Sequence, residues 1–374
     1  DGLRYMPGMD PVFHSVEGVF GNLYAEHEIP QIPEKLNPRD KRNVERVKEH
    51  LDHLLAPAEA RMLMDWMSWV VQNPGKHMNY AVLLQGVPGD GKTFFAEMMR
   101  VVMGTSNVTM LNAHILQSNF TDWTVGQCLA CVEEVRLVND TNKYEVLNRI
   151  KPNVTNTTIE VHPKGKAPYN ATNTTSYFLF SNYKDAIPVD DTDRRYLVLF
   201  SKWQSRNAIL RFKAENKHYY RNLYAAIEDS AGALRKWLLA HEQHEDFDPM
   251  GDAPDTAAKR HMIYLAKPEF IQILETASEA GDNFMVGPDI ITAAGIHEVL
   301  MSRGGEMPST KALNMMLARA GFESLGQIRY DGERMVMWAS DSDRFRELGT
   351  TFIRRGLVRK ILDERKSHLE EDSL

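Results

Sequence analysis

The apolar positions of the chain change their period several times, and each change predicts a different element. Between residues 40 and 71 apolar side chains recur three or four positions apart, which predicts two helices separated at Pro57. Residues 80–85, 128–132 and 176–180 are instead short, nearly unbroken apolar runs, which are typical of buried strands in a parallel sheet. Because helical stretches alternate with buried strands, the sequence predicts an α/β fold.

Outside this central part the pattern predicts helices, a hairpin and an arm. Residues 219–242 place apolar side chains on one helical face, which predicts a further helix. Two further helices at 290–303 and 309–320 and two short strands joined by Asp331-Gly332 predict a winged-helix-like domain at 283–340. Residues 1–39 are rich in Pro and Gly, and they predict an extended arm with little regular structure.

A glycine-rich loop separates the first buried strand from a helical stretch, and it fits G-x-x-x-x-G-K-[ST]. Its residues are Gly86, Val87, Pro88, Gly89, Asp90, Gly91, Lys92 and Thr93. The glycines let backbone N–H groups approach phosphate oxygens, and the following helix adds its positive end. Lys92 can reach the β- and γ-phosphates, and the Thr93 hydroxyl can ligate Mg²⁺. The loop therefore predicts binding of ATP with Mg²⁺.

Two carboxylates follow the apolar run at 128–132. Glu133 is expected to hold Mg²⁺ directly or through water, and Glu134 is expected to activate the attacking water as general base. The alternative is that both are ordinary acids at a solvated strand end.

Polar residues also follow the next two strands along the chain. Asn182 comes directly after the strand at 176–180, where an amide can orient a water molecule, although it can equally cap a turn. Arg194 and Arg195 precede the apolar run 196–200 and can stabilise charge on the γ-phosphate in a neighbouring subunit. Their alternative role is pairing with the adjacent aspartates.

A basic turn, with His162, Lys164 and Lys166, lies between the acidic strand and the strand that precedes Asn182. It predicts a β-hairpin that contacts DNA, and its alternative is an ordinary solvated hairpin. The net charge of −7 argues against general polyanion binding, so a nucleic-acid site has to be a local patch. No run of ~18 apolar residues is present, and no membrane span is expected.

The motifs GVPGDGKT, CVEEV, VHPKGK, LFSN and DRRYLVLF, in this order, resemble superfamily 3 helicases of the phage and viral primase–helicase kind. The similarity covers about residues 40–205. The resemblance implies an AAA+-like ATPase core that works as a ring, usually a hexamer, on single-stranded DNA with 3′ to 5′ polarity. It also implies a location in the cytoplasm of a host cell.

The resemblance gives each motif a role. The glycine loop corresponds to Walker A, and Glu133 with Glu134 to Walker B. Asn182 corresponds to the polar sensor and the Lys164 turn to the DNA-contacting hairpin, while either Arg194 or Arg195 is the arginine finger. The Glu-Glu pair departs from the usual Asp-Glu, and either acid can serve Mg²⁺.

The expected segments follow from these assignments. They are an arm or linker (1–39), an N-terminal helical domain (40–75), the P-loop ATPase core (76–205), a helical lid and linker (206–282), the winged-helix-like domain (283–340) and a C-terminal helix with tail (341–374). Because the first residue is Asp1, the chain is expected to be a processed product or a fragment. A primase or polymerase module is then expected upstream.

Two other functions fit the same motifs. One is an origin-binding or scaffold protein that uses ATP only as an assembly switch. The other is a P-loop motor of the DNA-packaging type.

Overall fold

A computed structural model describes residues 2–16, 18–136, 143–190, 192–340 and 351–371. The chain forms two compact units, Asp1–Ala266 and Lys267–Leu374. The segment boundaries expected after residues 39, 75 and 205 fall inside the first unit, and the boundary after 282 falls inside the second. In the part of the chain that the structure describes, no helix is both long and apolar enough to cross a membrane.

The described residues form eleven α-helices and thirteen strands. The helices are α1 (Pro38–Leu54), α2 (Pro57–Gln72), α3 (Phe94–Met103), α4 (Lys143–Thr155), α5 (Arg206–Glu215), α6 (Tyr219–Leu239), α7 (Ala257–Ala266), α8 (Glu269–Ala280), α9 (Ala293–Ser302), α10 (Thr310–Arg319) and α11 (Thr351–Glu371). The strands are β1 (Gly2–Arg4), β2 (Val12–Ser15), β3 (Gly18–Asn22), β4 (Ala81–Gln85), β5 (Val108–Asn112), β6 (Leu129–Glu133), β7 (Thr158–Val161), β8 (Tyr169–Thr172), β9 (Ser176–Ser181), β10 (Tyr196–Phe200), β11 (Ile290–Thr292), β12 (Glu323–Tyr330) and β13 (Glu333–Ala339).

The first unit is built on a five-stranded parallel sheet in the order β10-β4-β9-β6-β5. Strands β4 and β9 are buried along their whole length, which explains their unbroken apolar sequence. The α/β fold with a parallel sheet is thus as predicted. Since all five strands point the same way, their carboxyl ends form one edge of the sheet and their amino ends form the opposite edge.

Helices cover both faces of this sheet. On one face α1, α2, α3 and α6 share a single core with the strands, and that core includes Trp66, Phe95, Phe178 and Leu234. On the other face α4 and α7 pack against the sheet. The predicted N-terminal helices therefore have no core of their own, because their apolar stripes are buried against the sheet.

Residues 2–16 and 18–22 contain more regular structure than the extended arm that the sequence predicts. They fold into a small sheet in the order β1-β3-β2, in which Phe13 stacks on Phe20. The Tyr5 hydroxyl donates a hydrogen bond to Asn107 Oδ1 at 3.1 Å and anchors the arm to the first unit. Strands of three to five residues between glycines are too short to give a clear apolar pattern, and their pairing partner supplies the stability.

The second unit contains α8, β11, α9, α10 and the hairpin β12–β13, with a sheet in the order β11-β13-β12. The expected helices and hairpin are present, but Ile290–Thr292 is a strand instead of the start of a helix. Helix α11 follows, and residues 341–350 of the expected C-terminal segment lie outside the described residues. The winged-helix-like assignment stays a prediction.

Candidate functional site

The glycine loop leaves the carboxyl end of the central strand β4 and enters α3 at Phe94. Gly89 and Gly91 adopt φ values of 83° and 98°, a region that side chains with a Cβ rarely occupy. Within the loop the Asp90 N–H donates to the Val87 carbonyl at 3.3 Å, and the Lys92 N–H donates to Asp90 Oδ1 at 3.1 Å. The loop is therefore a tight, internally bonded turn at the edge of the sheet, as its sequence predicts.

Replacing Gly86 with alanine is expected to damage this turn. An added Cβ would lie 1.9 Å from Asp90 Oδ2 and 2.8 Å from Ser201 Cβ, and Asp90 is buried and unable to move aside. We expect Gly86→Ala to lower the unfolding free energy by about 1–3 kcal/mol, as overpacking does, and to weaken nucleotide binding. Thermal unfolding and nucleotide titration measure the two effects. Gly356→Ala, where an added Cβ meets nothing within 4 Å, is the control, and an unchanged melting temperature for Gly86→Ala would contradict the prediction.

Lys92 joins the loop to the neighbouring strand β9. Its buried ammonium donates to Asn182 Oδ1 at 2.7 Å and to the Val87 carbonyl at 3.2 Å, and it lies 3.5 Å from Asp90 Oδ1. Burial lowers the pKa of Lys92, whereas the charges of Asp90 and Glu133 raise it. Burial likewise raises the pKa of Asp90, and Lys92 opposes that rise. The geometry thus brings Lys92 and Asn182 together at one point.

Glu133 ends β6 on the same edge of the sheet. Burial raises the pKa of Glu133, and the charges of Glu134 and then Glu97 add to this rise. Lys92 acts in the opposite direction, so its ammonium lies within electrostatic reach of the carboxylate. Glu97, on α3, is an acid that the sequence analysis did not single out.

The pKa of Tyr224 on α6 is influenced both by Thr93 and by these acids. Its pKa is raised by burial, lowered by a hydrogen bond with the Thr93 side chain, and raised by the charges of Glu97 and Glu133. Thr93 and Glu133, the two residues predicted to serve Mg²⁺, thus both influence the pKa of this phenol.

Glu134 has a backbone φ of 58°, in the left-handed region that a glutamate seldom adopts. The next residue fixes this conformation, because the Val135 N–H donates to the Phe180 carbonyl at 2.9 Å and its carbonyl accepts from Ser181 Oγ at 2.7 Å. Unfavourable backbone conformations persist where their surroundings hold them, and they cluster at functional sites. The Glu134 side chain is exposed at the edge that carries the glycine loop.

The donor set at this edge suits Mg²⁺ bound together with a nucleotide. The described residues contain no group of three or more His, Cys, Asp or Glu side chains arranged to hold a metal ion. Mg²⁺ usually takes only one or two carboxylates, with phosphate oxygens and water as its other ligands. The Thr93 hydroxyl and the Glu133 carboxylate fit that pattern.

Helices from other parts of the first unit surround the loop, and the sequence pattern predicted these helices but not their contacts with the loop. The buried His50 ring donates from Nε2 to the Gly91 carbonyl at 3.1 Å, which leaves Nδ1 to accept from the Tyr219 hydroxyl at 3.0 Å. Burial lowers the pKa of His50 to about 4, so this ring is neutral at pH 7. The Tyr220 hydroxyl donates to the Asp90 carbonyl at 2.9 Å.

Lys213 on α5 lies over the outside of the loop. Its Nζ lies 2.6 Å from the position that an added Gly89 Cβ would take. The same ammonium lies 4.9 Å from the centroid of the Tyr220 ring. A second cation is thereby placed beside backbone amides that are predicted to bind phosphate.

Arg194 and Arg195 lie at the opposite edge of the sheet, because they precede the amino end of β10. Five residues of strand, roughly 15 Å, separate them from the edge that carries Lys92. Arg194 is exposed and pairs with Asp252 at 3.3 Å, while Arg195 is half-buried, and no hydrogen-bond partner for its Nε is found in the described chain. One chain does not bring either arginine to its own glycine loop.

The predicted basic hairpin is formed by β7 and β8, and its base lies near the amino end of β9. Lys164 and Lys166 are exposed in its turn. His162 lies at the end of β7, where its Nε2 is 2.9 Å from Glu160 Oε2 and its backbone N–H donates to Thr121 Oγ1 at 2.9 Å. The two lysines are therefore exposed to solvent, whereas His162 helps to hold the hairpin in place.

Comparison with known proteins finds one family and one viral protein. The model of a protein family of unknown function (DUF5906) matches residues 84–195, a span that contains every site residue predicted above. A DNA primase-polymerase of Nitratiruptor phage NrS-1 is 22% identical over 180 residues, which are 47% of this chain and 23% of that protein. The match thus spans less than a quarter of the length of that relative.

Solved structures show a closer likeness in fold than in sequence. The apo structure of the NrS-1 C terminal region (305-718) matches with a TM-score of 0.62 and 13% identity, over 90% of this chain and 84% of that one. The A form apo structure of the same region matches with a TM-score of 0.61 and 12% identity over the same shares. At such identities the likeness establishes the fold: this chain shares the fold of the NrS-1 C-terminal region.

Proposed function

We propose that the chain is the ATP-driven motor part of a phage replication protein, which hydrolyses ATP and moves along single-stranded DNA as a ring. The observation that carries the proposal is the buried Lys92 ammonium, which contacts both the glycine loop and Asn182 at 2.7 Å. The similarity to a phage DNA primase-polymerase supports the replication role.

In this proposal each site residue has a separate task. Lys92 and the loop amides bind the β- and γ-phosphates, and Asn182 orients the attacking water. Glu134 accepts the proton of that water as general base. Mg²⁺, held by Thr93, Glu133 and the phosphates, supplies further neutralisation of phosphate charge when bound.

Strand β9 connects the predicted nucleotide site with the hairpin that is predicted to contact DNA. Asn182 follows its carboxyl end, and the hairpin with Lys164 precedes its amino end by a few residues. The strand between them is buried throughout, so it is a stiff connection roughly 20 Å long. A shift of Asn182 after γ-phosphate loss would therefore be transmitted to the DNA-contacting hairpin.

ATP hydrolysis measured with and without single-stranded DNA, together with particle mass from light scattering, tests the proposal. Strong stimulation in a particle of hexamer size is the expected result. Stimulation by duplex DNA alone would favour a packaging motor. An ATPase that no DNA affects would favour an assembly switch.

Replacing Lys164 with alanine is expected to abolish unwinding while basal ATP hydrolysis continues. Lys164 is exposed in the hairpin turn and lies at the sheet edge opposite the glycine loop, so its loss removes a phosphate contact and leaves the nucleotide site intact. A strand-displacement assay run beside an ATPase assay measures the difference. Lys35→Ala, at another exposed lysine, is the control, and normal unwinding by Lys164→Ala would refute the hairpin assignment.

Arg194→Ala is expected to lower the turnover of the assembled protein by about 10³-fold without loss of nucleotide binding, as removal of an arginine finger does. Arg194 is the more exposed of the two arginines, so it is the better placed to reach a neighbouring copy. Steady-state hydrolysis and nucleotide titration separate the two effects. Asp252→Asn, which removes only the partner of Arg194, should stay active, and full turnover by both Arg194→Ala and Arg195→Ala would exclude this loop.

A further inference from the structure

A cleft of about 650 Å³ lies at the foot of the β7–β8 hairpin, entirely within the first unit. We call it the hairpin cleft, and its lining includes Ser118, Thr121, Asn156, Glu160, His162 and Asn170. Its volume falls in the range of small-molecule sites, about 300–1,000 Å³. Apart from His162, which belongs to the predicted DNA-contacting turn, these lining residues have no role in the function proposed above.

The walls of the hairpin cleft are held in place by the fold. The Thr121 N–H donates to the His162 carbonyl at 3.0 Å, and the His162 N–H returns a bond to Thr121 Oγ1 at 2.9 Å. The Asn173 side chain donates to the carbonyls of Asn153 and Asn156 at 2.7 and 2.8 Å and fixes the other side. A ligand would therefore meet a preformed site, which reduces the entropy lost on binding.

The lining presents amides and one carboxylate with bonding capacity to spare. Glu160 and Asn170 are cross-strand partners, so their side chains leave the hairpin on the same face. In the described part of the chain the Asn170 side chain has no hydrogen-bond partner, and the Asn156 amide nitrogen likewise has none. Side-chain amides and carboxylates are the groups that read the edges of nucleobases.

An exposed aromatic residue and two exposed lysines belong to the segments that form the cleft. Phe120, which lies in sequence between the lining residues Asn119 and Thr121, is 42% exposed. Lys164 and Lys166 stand in the turn of the same hairpin. Exposed aromatic rings beside basic side chains are the usual means of binding single-stranded nucleic acid without duplex structure.

We propose that the hairpin cleft takes one unstacked base of the single strand and favours a base with an exocyclic amino group. Glu160 can only accept hydrogen bonds, and cytosine offers it an amino donor where thymine offers a carbonyl oxygen. Phe120 would stack on the base, and the lysines would hold the adjoining phosphates. This inference rests on the proposed action on single-stranded DNA and adds a base preference to it.

The test compares fluorescein-labelled dC15 with dT15 by fluorescence anisotropy, using the 374-residue chain with a non-hydrolysed ATP analogue at fixed salt. These two pyrimidines are alike in size, so stacking differs little between them. We expect dC15 to bind about tenfold more tightly than dT15. In the variants Glu160→Gln and Asn170→Ala the ratio should fall towards one, while dT15 affinity changes less than about twofold.

Two further variants separate the possible outcomes. Asn207→Ala, at an exposed asparagine on α5, should keep the tenfold ratio, and Lys164→Ala with Lys166→Ala should weaken both DNAs equally. Equal binding of dC15 and dT15, or a ratio that Glu160→Gln and Asn170→Ala both leave unchanged, would overturn the cleft assignment while the motor proposal stands. Absence of binding to either DNA by the unmodified chain would overturn both.

Discussion

Lys92→Ala is expected to abolish ATP hydrolysis, with a loss of at least about 10²–10³-fold in kcat. The ammonium is buried and contacts Asn182 and the Val87 carbonyl, so its loss leaves both of these oxygens without their donor. Without it the phosphate charge has no counterion inside the loop, and Asn182 loses the partner that orients it. We therefore expect nucleotide titration to show weakened binding and the steady-state assay to show no hydrolysis.

The same substitution leaves Asp90 buried without its cation, which costs stability of roughly 3–5 kcal/mol in comparable buried pairs. Burial already raises the pKa of Asp90, and loss of the opposing Lys92 charge would raise it further. The double variant Asp90→Asn with Lys92→Ala should regain much of this stability and still fail to hydrolyse ATP. Lys41→Ala, at an exposed lysine of α1, is the matched control.

Hydrolysis by the folded double variant at the rate of the unmodified chain would refute the role of Lys92. Because the double variant removes both buried charges and is tested in its folded state, its loss of activity cannot be attributed to unfolding. The single and double variants together thus separate the chemical task of Lys92 from its structural one.

The glycine loop and its two flanking elements could be predicted because the motif is local. Its glycines, Lys92 and Thr93 are consecutive, and strand, loop and helix follow from composition within 25 residues. Asn182 was found for a related reason, since residues that follow buried parallel strands collect at one edge of a sheet.

The helices around the loop could not be predicted, because their contacts join distant parts of the chain. His50 meets Gly91 from α1, and Tyr220 meets Asp90 from a helix 130 residues further on. An apolar stripe shows that a helix face is buried, but it does not show against which partner. For this reason α6 resembled a lid in sequence, whereas it packs into the core of the sheet.

The edge of the sheet at which the arginines lie could not be predicted without the order and direction of the strands. The sequence analysis predicted that one of Arg194 and Arg195 acts in a neighbouring subunit. The parallel pairing of β10 with β4 puts both arginines at the amino edge, away from the glycine loop of their own chain, and the finger role stays a prediction.

Glu134→Gln is expected to keep ATP bound and to lower kcat by about 10²–10⁴-fold, the usual contribution of a general base. The amide has the size of the carboxylate but cannot accept the proton of the attacking water. Single-turnover hydrolysis and nucleotide titration measure the two properties. Glu133→Gln should differ from it, because loss of a carboxylate predicted to serve Mg²⁺ weakens the dependence on that ion as well.

The backbone at Glu134 provides a control for folding. Glu134→Gly removes the Cβ that makes the left-handed φ of 58° unfavourable, so this variant should unfold at a temperature no lower than the unmodified chain. It should nonetheless be as inactive as Glu134→Gln. If Glu134→Gly is at least as stable as the unmodified chain and does not hydrolyse ATP, the strained position serves catalysis. Normal turnover by either variant would show that another residue is the general base, and Glu133 is the nearest carboxylate in sequence.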